Sequence, residues 1–374
     1  PLHRDHLMDY DVIIVGGGLT GSLTARSLAA RGRSVALFEA RPLGHTEGSS
    51  HGTSRIFRRA HPVPLYADLA ARAQPLWRKL EEDSGIPLLT LTGGLDYGID
   101  RRPVELHQAV SANGVPCELL TADAAAERFP GMRFPTDVLY HPDAGYIDPT
   151  ATISAALTVA ERDGADIRIG TPVEALEDRQ SSVVVTTPDG THTGRQVVLA
   201  AGPWLPQLVP RWLPGCPTPQ LTVTEQNVFH FPQLENHGRW PVLVCKHHPQ
   251  LYGLPSGLDG GPEPAVKIGR HEPGAITTPE RRSPTPDPRT RTLVRTFVEQ
   301  WLPGLAPSPV AEAVCLYTRT DNEDFLIDRR GRITIASPCS GQGAKFAPIL
   351  GEVIADISSG ATSTPPRFAL SAHL

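Results

Sequence analysis

Residues 10–40 read YDVIIVGGGLTGSLTARSLAARGRSVALFEA: an apolar run, a glycine turn, a helical stretch, then a second apolar run ending in an acid. Gly16, Gly18 and Gly21 match G-x-G-x-x-G. They permit a tight turn, close approach of backbone to a pyrophosphate, and close packing of helix on strand. The helix that follows offers free N–H groups and a positive dipole end to phosphate oxygens. Glu39 stands roughly 20 residues after Gly16, where a carboxylate accepts hydrogen bonds from a ribose diol. A strand, turn, helix and acid in this register predict a βαβ unit that binds a dinucleotide. The chain is thereby confined to folds built on a parallel sheet.

Other features set bounds. At 374 residues the chain is long for one domain and fits two intimately joined ones. Its net charge of -5 gives no reason to expect nucleic acid, which needs a concentrated basic face. No apolar run approaches the roughly 20 residues that span a bilayer, so no membrane partner is expected. The opening PLHRDHLMDYD lacks the apolar stretch of a secretory signal, and Met8 reads as the natural start. Five cysteines without paired spacing point to a reducing cytoplasm. The CKHH cluster, Cys245 to His248, is not expected to hold a metal, because adjacent side chains rarely converge on one ion.

Lysine occurs only at Lys79, Lys246, Lys267 and Lys345; the 35 basic residues less these four leave 31 arginines. A chain this biased towards arginine makes each lysine informative. Lys79, in LWRKLEED, reads as a surface residue.

Two later stretches choose between nicotinamide and flavin dinucleotides. RQVVLAAGPWLPQL (195–208) is a strand ending in Ala-Gly-Pro-Trp, as in the returning strand of FAD-binding folds. GRITIASPCSGQGAKFAPILGEVIADI (331–357) is a strand, a glycine-containing turn, and a helix beginning near Lys345. A helix start beside a flavin stabilises negative charge on the reduced ring. Between these lie a helix over 64–86, strands in LLTLTGGLDYGI (88–99), and a helix capped near Asp148 and Thr150. A hairpin turns at 188–190, further strands fill 218–270, and residues 278–288 form a proline-rich surface loop. The expected fold class is α/β: a Rossmann-like FAD-binding domain (8–90, 145–217 and 315–374) interleaved with a second, mainly antiparallel β-sheet domain (91–144 and 218–314).

Cys315 sits in the apolar run EAVCLYTRT. On its own it reads as either a small core residue or a point of covalent attachment. Strand periodicity puts Tyr317 on the same face. In SRIFRRA, Arg55 and Arg58 are three apart, so either could enter a pocket, and Arg59 reads as solvated.

DVIIVGGGLTG, GSSHGTSRIFRRA, LYGLPSG, VKIGRHE, AVCLYTRTDNEDFLID and SGQGAKFAP occur in the order found in one family. The chain resembles the monomeric sarcosine oxidase group of FAD-dependent amine oxidases, with pipecolate and N-methyltryptophan oxidases, over residues 11 to about 366. SSHG-x-SRI, AGPW and LYGLPSG lean towards the pipecolate oxidase branch. The resemblance implies FAD held covalently by a thioether from Cys315 to the ring's 8-methyl group. It implies that Arg58 and Lys345 bind a substrate carboxylate, as a donor fork plus a point charge suit an anion. Lys267 takes the place of the lysine that activates O2, with His271 and Tyr317 as further catalytic groups and Tyr252 at the substrate. Ser49, His51, Arg55, Val173, Gly343 and again Lys345 fall at cofactor positions, with Gly16, Gly18, Gly21 and Glu39.

Cys339, Gln342 and Ala344 depart from the aromatic, histidine and aromatic more usual in the family, and a few extra residues separate Tyr252 from Lys267. These changes leave the identity of the substrate open. The expected reaction is oxidation of the C–N bond of a secondary amino acid to an imine, with O2 reduced to H2O2, by a cytoplasmic monomer. A biosynthetic dehydrogenase or desaturase acting on a tailored cyclic amine, with an acceptor other than O2, is the alternative.

Overall fold

The computed structural model describes residues 9–217, 219–235 and 240–374; Met8, the expected start, lies outside them. The strand Tyr10–Val15 pairs in parallel with Val35–Glu39 on one side and Gly190–Leu199 on the other. Beyond these, Val35–Glu39 pairs with Asp166–Ile169, and Gly190–Leu199 with Ile333–Ser337, again in parallel. The strands expected around 195–208 and 331–357 therefore lie in succession on one side of the glycine-turn strand.

The continuous apolar run of that strand is explained by burial on both faces. Val12 and Ile14 point into a layer holding Leu23 and Leu28 of the helix Leu19–Ala29, and Ile349, Leu350 and Ile354 of the helix Ala347–Ser359. Ile13 and Val15 point the other way, against Leu205 and Val209 of the helix Leu205–Trp212. Each such side chain contributes roughly 1.5–3 kcal/mol by leaving water.

The second sheet runs in the order Ala311–Arg319, Thr222–Pro232, Ala265–Arg270, Gln250–Pro255, Val242–Lys246, Gly94–Tyr97, Val138–His141, Glu118–Leu120. It is antiparallel except where Val242–Lys246 meets Gly94–Tyr97. Period-two alternation sorts its side chains. Leu95, Tyr97, Leu243, Cys245, Val266, Ile268, Phe229 and Phe231 form a core with Val294, Phe297 and Val298 of the helix Pro288–Trp301. Their alternates, Asp96, Val244, Lys246, Lys267 and Val228, belong to the opposite face. A three-stranded sheet, Arg55–Arg58, Ala144–Ile147 and Leu89–Leu91, joins the two larger ones.

One expected seam is displaced. Residue 315 falls inside the strand Ala311–Arg319, whose whole length pairs with Thr222–Pro232 in the second sheet. The proline-rich segment 278–288 runs over the surface but is pinned there: Ser283 N–H donates to Glu225 at 2.7 Å, and Pro279 and Pro286 are buried. No helix among the described residues is long and apolar enough to cross a membrane.

Candidate active site

A single cavity of about 1040 Å³ runs from the glycine turn to Lys345. That is at the upper end of the range for small-molecule sites, about 300–1,000 Å³.

The glycine turn could be built from nothing else. A Cβ at Gly21 would lie 1.8 Å from the Gly16 carbonyl oxygen. One at Gly16, where φ is +108°, would lie 2.5 Å from the carbonyl oxygen of Ala200. Gly18 caps the helix with extended backbone and no side chain, leaving Ser50 Oγ to accept from Leu19 N–H at 3.2 Å. Glu39 is buried and accepts from Gly17 N–H at 2.6 Å and Arg41 N–H at 2.7 Å. Each oxygen keeps a lone pair for a diol. The Ser49 hydroxyl and His51 Nε2 are buried with no protein partner, and Val173 lines the same wall. Uncapped N–H groups, a buried acid and orphaned polar atoms in one cleft fit the phosphates and ribose of FAD.

Further along, Cys315 Sγ lies 3.9 Å from Arg55 Nη2. Burial alone would raise the thiol, but the neighbouring His51, then Arg55 and Lys267, bring it down to about 6. A thiolate at neutral pH is a nucleophile. Arg55 is fixed by the carbonyls of Ser54 at 2.9 Å and His51 at 2.7 Å. Lys267, only 3% exposed, donates to the Ser54 carbonyl at 3.0 Å and Asp259 at 3.3 Å. Burial and then Arg55 lower its ammonium to about 8, against the pull of Asp259. The strand Thr222–Pro232 holds both groups in register, with Gln226 opposite Cys315 and His230 opposite Lys267.

Tyr252 and Tyr317 stand with Arg55 and Cys315, and Arg58, Lys345 and His271 complete the lining. Lys345 Nζ donates to the Gln342 carbonyl at 2.8 Å and lies 4.3 Å from the centre of the Phe346 ring. Trp77 Nε1–H donates to the Lys345 carbonyl at 3.1 Å, which anchors the turn to the core. At Gly343 a Cβ would meet the Pro338 carbonyl oxygen at 1.8 Å, so this cofactor position also demands glycine. Gly269 lies opposite Tyr252 and makes room for the phenol, which would stand 2.5 Å from an added Cβ. Burial raises both Tyr252 and Tyr317, so both stay neutral. Burial, then Lys246, Arg319 and Arg58, lower His271 to about 4, leaving a neutral imidazole.

All the residues expected at the cofactor, the substrate or the chemistry line the cavity except Gly21, which shapes the turn from behind. Sequence reasoning missed Asp259, His61, and the pair Asp96 and Arg101. Asp259 lies in GLDGG, where nothing marks it. Asp96 had a signal: an acid between Leu95 and Tyr97 in a buried strand needs a cation. Arg59 is not solvated as expected; it pairs with Asp143 at 3.0 Å, its side chain 19% exposed.

A family model described as FAD dependent oxidoreductase matches residues 11–357. Monomeric sarcosine oxidase of Streptomyces avermitilis is 32% identical, over 96% of this chain and 95% of its own. N-methyl-L-tryptophan oxidase of Yersinia pestis is 30% identical, over 93% and 94%. Among solved structures, the open form of NikD, an unusual amino acid oxidase essential for nikkomycin biosynthesis, superposes with a TM-score of 0.86 at 26% identity, covering 97% of this chain and 98% of that one. With the glycine turn, the buried acid and the long cavity, these likenesses place the chain in the family of FAD-dependent oxidoreductases, among the flavoprotein amine oxidases that include monomeric sarcosine oxidase and N-methyl-L-tryptophan oxidase.

Proposed function

We propose that this protein oxidises the C–N bond of a secondary amino acid, N-methyl or cyclic, to an imine and reduces O2 to H2O2. The observation that carries the reading is what one cavity brings together: a dinucleotide cradle, a thiol titrating at about 6, a buried ammonium, and a neighbouring arginine and lysine. FAD held in the cradle would supply the two-electron redox chemistry that links oxidation of the C–N bond to reduction of O2.

The chain's own residues do the rest. Arg58 and Lys345 grip the substrate carboxylate and fix which carbon faces the ring. His271, neutral, accepts the amine N–H, and Tyr252 and Tyr317 offer hydroxyls without introducing charge. Lys267 holds an ammonium where negative charge develops on oxygen. Cys315, its thiol lowered by His51 and Arg55, would hold the cofactor by a thioether, the ring's 8-methyl group losing a proton and the two electrons of the new bond's formation passing through the ring to O2.

The alternative of a biosynthetic dehydrogenase draws support from the likeness to NikD and from Cys339, Gln342 and Ala344 on the cavity wall. The test is a panel of N-methyl and cyclic amino acids followed by peroxide release and by anaerobic flavin bleaching. Bleaching with peroxide supports the oxidase. Bleaching with slow peroxide release and fast reduction of an artificial acceptor supports the dehydrogenase.

A further inference from the structure

We infer that the site is built for a secondary amino acid with a second anionic group, an amino dicarboxylate, whose second carboxylate binds between Arg101 and Lys246. The inference rests on the amine-oxidase reading and names its substrate class.

The far end of the cavity is lined by Arg58, Arg101, Lys246 and Lys345. Among the described residues, Asp96 is the one carboxylate in ion-pair contact with any of them. Its Oδ1 lies 2.5 Å from Arg101 Nη2 and 3.8 Å from Arg58 Nη1, while Oδ2 lies 2.9 Å from His141 Nε2. Asp100 acts on Lys246 only as a weaker, more distant charge. One buried carboxylate cannot neutralise four cations.

Their mutual repulsion is visible in Lys345, Lys246 and Arg58. Burial, then Arg58 and Arg101, depress Lys345 well below its ordinary range. Burial, then Arg101 and Arg58, lower Lys246, and burial with Arg101 brings Arg58 to about 10. A carboxylate on Arg58 and Lys345 relieves one side of this cluster and leaves the other untouched. There, Arg101 is 8% exposed and its Nη2 makes no aligned hydrogen bond, despite its ion contact with Asp96. Lys246 pairs with no side chain among the described residues.

Backbone register makes those two neighbours. Val244 lies opposite Asp96, so Lys246, two residues on, shares its face. The turn Ile99–Arg101 starts at Gly98, whose added Cβ would lie 2.3 Å from the Lys246 carbonyl oxygen. Arg58 and Arg101 share one oxygen of Asp96, so the two anion positions are adjacent and a short side chain spans them. A structural Asp–Arg pair would need neither a second arginine nor a free lysine turned to the same cavity.

The test uses the holoenzyme with N-methylaspartate, N-methylglutamate and their side-chain monoamides, with sarcosine and pipecolate alongside. Two readouts are taken: kcat/KM for anaerobic flavin bleaching, and the flavin absorbance shift on titration with glutarate or butyrate, which cannot be oxidised. The expected result is a preference of about tenfold or more for each dicarboxylate over its monoamide, and for glutarate over butyrate. Lys246→Gln should bring both ratios towards one, and Lys246→Arg should keep them. Arg101→Gln should do the same, but it strips Asp96 of its main partner, so the partly buried Lys246, which has no side-chain partner among the described residues, is the cleaner variant.

Equal bleaching by dicarboxylates and monoamides, unchanged in Lys246→Gln, overturns the inference and leaves the amine oxidase intact. A glutarate preference with no bleaching by any amine upholds the double-anion site and overturns the oxidase reading. Neither bleaching nor a glutarate preference overturns both.

Discussion

The Lys267 ammonium stands 3.3 Å from the Asp259 carboxylate, which also accepts the Thr53 N–H at 2.8 Å. A carboxylate held by backbone cannot swing towards its lysine, so the lysine is placed by the turn that carries Asp259. That turn leaves the Lys267 charge near its own titration point.

The sign of the pH effect follows. Lys267 is protonated below about 8 and loses its charge above it. Reoxidation of the reduced enzyme by O2 should slow as pH rises through that value. Asp259→Asn should shift the break downward, because Asp259 favours the charged form. Lys267→Met should slow reoxidation about 10²–10³-fold and flatten the profile. Stopped-flow reoxidation across pH 6 to 10 reads all three, and a flat wild-type profile would sink the assignment.

Cys315 gives a second test. Its thiol titrates at about 6, so flavin attachment should run at neutral pH and fall away below 6. Acid-denatured wild-type chain should keep one FAD mass, and Cys315→Ser should keep none. His51→Ala should raise the thiol and slow attachment without abolishing it. Intact-chain mass spectrometry decides, and flavin that washes off the wild type returns Cys315 to a core role.

Gly21→Ala puts a methyl group 1.8 Å from the Gly16 carbonyl oxygen, with only backbone to yield. The turn must open, so the variant should lose FAD and melt at lower temperature. Flavin content and thermal unfolding measure this. Full flavin occupancy at an unchanged melting temperature would show that the turn is not as tight as it looks.

Burial alone would raise Asp96, but Arg101, then Arg58 and His141, outweigh it and hold the carboxyl well below its usual range. Its contribution to stability is present above the ordinary carboxylate pKa and is lost as pH falls through the depressed one. Asp96→Asn leaves buried cations unpaired and should cost about 3–5 kcal/mol at neutral pH. The gap between wild type and variant in denaturant unfolding should narrow in strong acid. A gap that is constant with pH would mean that shape rather than charge sets the cost.

What the sequence made legible was local. The glycine turn, the helix capped by Asp148 and the alternation around Cys315 and Tyr317 each fit within a few residues. Scarcity helped as well: Lys267 and Lys345 are buried on the cavity, while Lys79 is exposed and pairs with Asp83. What stayed hidden depends on which strands lie side by side. Asp96 meets Val244 only because Gly94–Tyr97 pairs with Val242–Lys246, and Arg59 meets Asp143 only through the fold around the short third sheet. The misplaced seam at 315 has the same origin. The strand was visible in the sequence, but its partner Thr222–Pro232 was not.

The strand Tyr10–Val15 is clasped by Gly190–Leu199, and that strand in turn by Ile333–Ser337. The glycine-turn strand thus waits for a segment far along the chain before its sheet can close. The thiol at 315 and the lysine at 345 arrive just as late. A chain that stops short of Ile333 leaves this sheet and the cavity open, so yellow colour in a purified sample reports that segments far apart in the chain have met.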